Sequence, residues 1–227
     1  MNHTLVKRTA ASAMSVKYTG YAETYEIRAI WALDHAQSVD EGFRALADFS
    51  YGSQNWTMID NQLNIGWTTQ AAVPVRAPAA YTWNLDTNPT GLAPFLVLPG
   101  DGSAEWRGTL STRYVPHVVN PQPPRDYIAT ANADPVGATF DGDPLNQPMV
   151  DGRPLYVGVT YAAGVREERI SQLIEQRGVG ITLDDMARIQ HDTTSNVGTK
   201  LVPAILAALS RLDSTAGAAP DVVPYLA

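Results

Sequence analysis

The chain predicts an α+β fold in which antiparallel strands, helices and long loops segregate along the sequence. Three observations carry this. Apolar and polar residues alternate in strand fashion between residues 54 and 68. Prolines and turn residues dominate 78–126. From about residue 164 onward the apolar spacing is helical. Runs of strands followed by runs of helices are the α+β pattern.

Taken in order, Met14–Tyr18 alternates as a half-buried strand that Gly20 ends. Residues 22–36 then take helical spacing, with Ile27, Ile30, Trp31, Asp34 and His35 on one face. Ser38 caps a second helix, with Glu41 at capping-box spacing and Phe43, Leu46, Ala47 and Phe49 as its apolar face. Two strands, Gln54–Asp60 and Leu63–Thr68, flank an Asn61–Gln62 turn that lacks the favoured glycine. Ala72–Arg76 carries Pro74 and belongs at an edge. The long irregular stretch 78–126 lines a cleft or wraps a neighbouring part of a bigger protein.

Tyr127–Asn132 predicts a short buried strand ending on an asparagine, and Leu155–Val159 a second apolar strand. Helix is expected from Gly164 to Gln176, with Val165, Ile170, Leu173 and Ile174 inward and Gly178 as its stop. Thr182–Asp185 caps the next helix, with acids suited to its dipole. A last helix spans Ser195–Leu212, kinked at Pro203, with Val202, Ile205, Leu206 and Leu209 inward. The stretch 213–227 is expected to be a flexible tail. No internal repeat is visible, and 1–227 is expected to form one domain.

Composition excludes several functions. With 44% hydrophobic and 17% charged residues in 227, a sizeable core is expected. The net charge is −7 and no basic stripe appears, which argues against nucleic acid as a partner. No apolar run approaches the ~18 residues of a membrane span, so no membrane partner is expected, and no signal peptide is visible. Cysteine is absent, which removes disulfides, thiolate metal sites and a Cys nucleophile.

His3, His35, His117 and His191 show no metal-ligand spacing. Asp141, Asp143, Asn146 and Asp151 make an acidic stretch without the spacing of an EF-hand, best explained as a solvated loop. Gly52–Ser53 has the form of a self-cleavage junction that frees an N-terminal serine nucleophile; a plain turn entering the next strand explains it equally.

Several ordered segments resemble the penicillin acylase family of N-terminal-nucleophile hydrolases. Gln54–Trp67 is similar to its N-W-x-x-A-D-x-x-G-N-I-G-Y hairpin, with Leu63 where the turn glycine usually stands. Val73–Arg76, Leu98–Gly102, Trp106–Gly108, Val119–Pro121, Tyr127–Asn132, Arg166–Leu173 and Ile181–Asp192 follow in family order, and Ser195 fits the next serine. The resemblance covers residues 14–212.

It implies part of an αββα sandwich, namely an internal piece of the family's β-chain. The α-chain and the start of the β-chain, with its serine, would be supplied from outside residues 1–227. Ser53 aligns inside the β-chain rather than at its start, which leaves it a weak nucleophile candidate. The family hydrolyses a linear amide: the acyl side chain of a β-lactam, an acyl-homoserine lactone or a similar small molecule. The serine attacks the carbonyl, its own α-amine takes the proton, and an asparagine amide helps hold the oxyanion. Asn132 aligns with that asparagine, against the alternative of a strand-end turn residue. Arg166 aligns with a substrate-cleft arginine, against a structural ion pair with Glu168 or Asp192. Pro94 matches a residue whose carbonyl binds calcium in some members; no cofactor is expected here, calcium belonging to the intact parent. That parent is expected to be periplasmic or secreted. A non-catalytic scaffold derived from the same fold is the competing reading.

Overall fold

The computed structural model describes residues 3–210. The predicted tail at 213–227 lies outside them. Where the sequence suggests one domain, the chain divides into two compact units, 1–161 and 162–227.

The first unit starts with a hairpin of β1 (Thr4–Arg8) and β2 (Ala13–Val16). Next come α1 (Glu26–Asp34) and α2 (Val39–Leu46), followed by β3 (Gln54–Ile59) and β4 (Ile65–Gln70). β5 (Pro74–Arg76) pairs with β6 (Trp106–Thr109), and β7 (His117–Val119) returns to β4. A two-residue-per-strand hairpin, β8 (Met149–Val150) and β9 (Arg153–Pro154), closes the unit. All pairings are antiparallel, and the widest sheet has the order β3-β4-β7. Among the described residues no sheet closes into a barrel.

The core forms where the two helices meet this sheet. Ala29, Leu46 and Phe49 are buried, with Leu33, Trp56 and Met58 packed on them. Trp56 and Met58 are two apart on β3, so both point to the helical side. Phe49 meets the Trp56 ring edge-on at 5.2 Å. Gly66 must be glycine: a Cβ there would run into Val39 Cγ1 and sit 3.0 Å from the Phe43 ring, so its bareness lets α2 lie on β4.

Local signals explain most element ends. Ser38 Oγ accepts from Glu41 N, but the Glu41 carboxylate reaches Gln37 N at 2.7 Å rather than closing a capping box on Ser38. The predicted hairpin forms in full register from Gln54↔Gln70 to Ile59↔Ile65. Its turn is organised by Asp60, whose Oδ1 accepts from the backbone N–H of Gln62 and Asn64. Leu63 takes a left-handed φ of 65° there.

Four expectations fail in the first unit. β1 was not foreseen, because its five residues are exposed and carry no alternation of burial. The buried position of α1 is Ala29, while Ile27 and Trp31 are 81% and 64% exposed; a period fixes spacing, not which face meets the sheet. Tyr127–Asn132 and Leu155–Val159 are not strands. Both are apolar enough, but neither segment joins any of the sheets among the described residues.

The second unit is helical: α3 (Val165–Arg177), α4 (Leu183–Gln190) and α5 (Asn196–Leu209). α3 starts at Gly164 and stops at Gly178, as predicted. Thr182 and Asp185 form a complete capping box. Asp185 also meets Arg177 at 3.0 Å and Arg188 at 2.7 Å, and the Arg177 hydrogen bond does most to hold its carboxyl well below the usual range. α5 carries Pro203 inside it. Its expected inward face is not buried: Val202, Ile205 and Leu206 are 47%, 54% and 59% exposed.

Candidate active site

Asn132 stands in an irregular segment at φ 60°, and its side chain is exposed while Tyr127–Ala131 are half-buried. Asparagine suits a left-handed position better than most residues because its short amide hydrogen-bonds locally. The following turn is braced by Asp134. Its Oδ1 accepts from Val136 N and Gly137 N, both at 3.0 Å, and its Oδ2 accepts from Thr139 N and Thr139 Oγ1 at 2.7 and 2.9 Å. Three backbone N–H groups and one hydroxyl on a single carboxylate fix the backbone of Val136, Gly137 and Thr139.

That braced turn leads into a cavity of about 410 Å³. Pro135 forms part of its wall, with Ser53, Thr69, Phe95, Tyr156 and the segment 157–161. The Tyr161 hydroxyl is buried without a hydrogen-bond partner. Burial pushes its ionisation above the ordinary phenol range, and the nearby Asp134 charge adds to this. A Cβ at Gly158 would lie 2.9 Å from that hydroxyl, so the glycine makes its room. The phenol is therefore a neutral donor.

The sequence candidates are placed as follows. Ser53 lines this cavity from an exposed position behind Gly52, which is left-handed at φ 76°. No hydrogen bond reaches its hydroxyl among the described residues, and no histidine serves it. His35, His117 and His191 each bond a backbone carbonyl in or beside their own element, and His3 bonds Ser15 and Glu105. Arg166 sits in the first turn of α3, in the second unit. The acids proposed as its structural partners are engaged elsewhere: Asp192 by Arg169 at 2.8 Å and Glu168 by Lys200 and Asn196.

Pro94 follows the buried Ala93. Among the described residues no three acidic or histidine side chains gather to hold a metal, so the calcium expectation gains no carboxylate set there. Asp141 instead accepts from Asp143 N and Asn146 Nδ2, as in an ordinary polar turn. Tyr156 and Tyr161 escaped sequence reading. The expected strand Leu155–Val159 includes Tyr156 but not Tyr161, and only the fold brings 156–161 into one cavity wall with Pro135.

No curated protein matches the chain in sequence. Among solved structures, a thermostable penicillin G acylase from Alcaligenes faecalis is similar, with a TM-score of 0.51 and 19% identity. The match covers 99% of this chain and 39% of the acylase chain, so residues 1–227 span well under half of it. At that identity the likeness speaks for the fold, a partial α+β arrangement of the acylase type. The family model described as penicillin amidase matches residues 2–226. The chain belongs to the penicillin amidase family.

Proposed function

We propose that this chain is the portion of an amidohydrolase that carries the side-chain half of an oxyanion hole, with Asn132 as the donor. The reaction is hydrolysis of a linear amide in a small molecule, such as the acyl side chain of a β-lactam or an acyl-homoserine lactone. The nucleophile is an N-terminal serine supplied, with an α-chain and the first part of the β-chain, by adjoining sequence. In this reading serine attacks the carbonyl carbon and its α-amine accepts the proton. The carbonyl π electrons move onto oxygen, where the Asn132 amide N–H meets the charge. Collapse breaks the C–N bond as the α-ammonium returns its proton to the leaving amine; water, losing a proton to the same α-amine, then attacks the ester, and the serine oxygen takes that proton as the acid departs. Arg166 is proposed to bind the substrate.

One observation carries the proposal beyond family membership. Asn132 is exposed at a left-handed φ of 60°, in the segment that runs into the turn braced by Asp134 and to Pro135, which lines the cavity. An oxyanion donor contributes most when it is already aimed and need not reorganise.

The scaffold reading keeps one observation in its favour. A left-handed turn at φ 60° is by itself a reason for asparagine.

Assay of residues 1–227 alone and joined to the adjoining upstream sequence, with a chromogenic phenylacetyl anilide, tests the proposal. Turnover only by the joined protein is expected. Turnover by residues 1–227 alone, or mass-spectrometric cleavage between Gly52 and Ser53, would assign the nucleophile to Ser53 instead. No turnover by either, on any amide offered, supports the scaffold.

A further inference from the structure

A second cavity, of about 190 Å³, is lined by the β5–β6 strand pair and the β8–β9 hairpin. Its apolar wall is Val73, Val75, Leu110 and Leu155. Its charged groups are Arg107, Asp151 and Arg153. Arg153 is half-buried, and its Nε is shut off from solvent with no acceptor. No side-chain hydrogen bond or ion pair joins Arg153 to Asp151 or to any other described residue. Arg76 adds a further positive charge nearby, with its guanidinium 5.9 Å from the ring of Tyr156, which also lines the cavity.

A buried guanidinium N–H with no acceptor is costly unless something answers it. The cavity has the right contents for that answer: two arginines against one aspartate, with aliphatic side chains in the same lining. Its volume falls below the roughly 300–1,000 Å³ of pockets for drug-sized ligands, so the occupant is small.

We propose that this cavity binds a small organic carboxylate, with Arg153 bonding the carboxylate and the β5–β6 strand pair covering the hydrocarbon. The planar fork of arginine matches a carboxylate in a way that a point charge does not. The inference does not rest on the amidohydrolase reading, because it concerns binding by residues 1–227 alone.

Titration of the chain with benzoate, benzamide and inorganic phosphate, followed by the arginine Nε–H resonances, tests it. Benzoate should shift the Arg153 signal, which is identified by its absence in R153M. Benzamide, the same shape without the charge, and phosphate, the charge without the hydrocarbon, should each bind at least about tenfold more weakly. R153M should lose benzoate binding by a similar factor, and benzoate should raise the melting temperature of the wild type but not of R153M. If R153M fails to fold, L110W fills the apolar end and should exclude benzoate. Equal binding of benzamide or phosphate, full binding by R153M or L110W, or no shift of the Arg153 signal with benzoate at millimolar concentration would each overturn the proposal.

Discussion

Asn120 Nδ2 donates to Asn64 Oδ1 at 2.8 Å, joining the end of β7 to the β3–β4 turn across 56 residues of sequence. The same side chain accepts from Ile65 N at 2.9 Å, while Asn120 N donates to Ile65 O. Asn120 is left-handed at φ 45°, so both its backbone and its amide are used. Asn120→Ala removes two hydrogen bonds and strains the backbone. It should cost about 1–2 kcal/mol in urea unfolding. Asn120→Gly should cost less, because it keeps the backbone and loses only the amide. Equal losses would assign the whole effect to the side chain.

Leu63 stands at φ 65° in the turn that Asp60 organises, 80% exposed, where the family pattern has glycine. It has little burial to lose. Leu63→Gly should stabilise the chain by about 1 kcal/mol, from relief of left-handed strain less the added freedom of the unfolded state. The melting temperature should rise by ~2–4 °C. Thermal unfolding of the two proteins at one pH checks this, and a fall would show that Leu63 makes a contact worth more than the strain.

Glu105 lies 2.6 Å from Lys17, whose side chain is only 9% exposed, and 2.9 Å from His3. The Lys17 hydrogen bond, then the Trp106 N–H, bring its pKa down to about 2 from an ordinary 4.5. A carboxyl depressed by folding stabilises the native state at pH above its unfolded value. That contribution is lost as pH falls from about 4.5 through about 2. Glu105 is 35% exposed, so screening reduces the pair to the order of 1 kcal/mol. Glu105→Gln should therefore lower stability at pH 7 by about that amount, and the difference should vanish near pH 2. A gap that persists unchanged at acid pH would mean that packing, not charge, is responsible.

Much of this fold was legible in short-range chemistry. The Thr182 cap, the Gly178 stop and the β3–β4 hairpin depend on neighbours in sequence, and all formed where expected, whereas the capping box expected at Ser38 did not close and one closed at Thr182–Asp185. What was not legible depends on partners far along the chain. Tyr127–Asn132 has strand composition but no strand beside it, and α1 turned Ala29 rather than Ile27 inward because the sheet decides which face is used. The cavity with Arg153 joins the β5–β6 strand pair to the β8–β9 hairpin, and nothing local to Gly152–Arg153 announces it. Asn132 itself was singled out by its family segment. Its left-handed backbone and the Asp134 brace became visible only in the structure.

The central claim is that Asn132 acts through its amide and not merely through its backbone. Its φ of 60° makes Asn132→Gly the decisive variant, because glycine accepts that backbone and removes only the amide. In the protein joined to its adjoining upstream sequence, kcat for a phenylacetyl anilide should fall ~100- to 1,000-fold in Asn132→Gly, with KM and melting temperature nearly unchanged. A kcat that stays at the wild-type value in Asn132→Gly would contradict the account and leave Asn132 a turn residue.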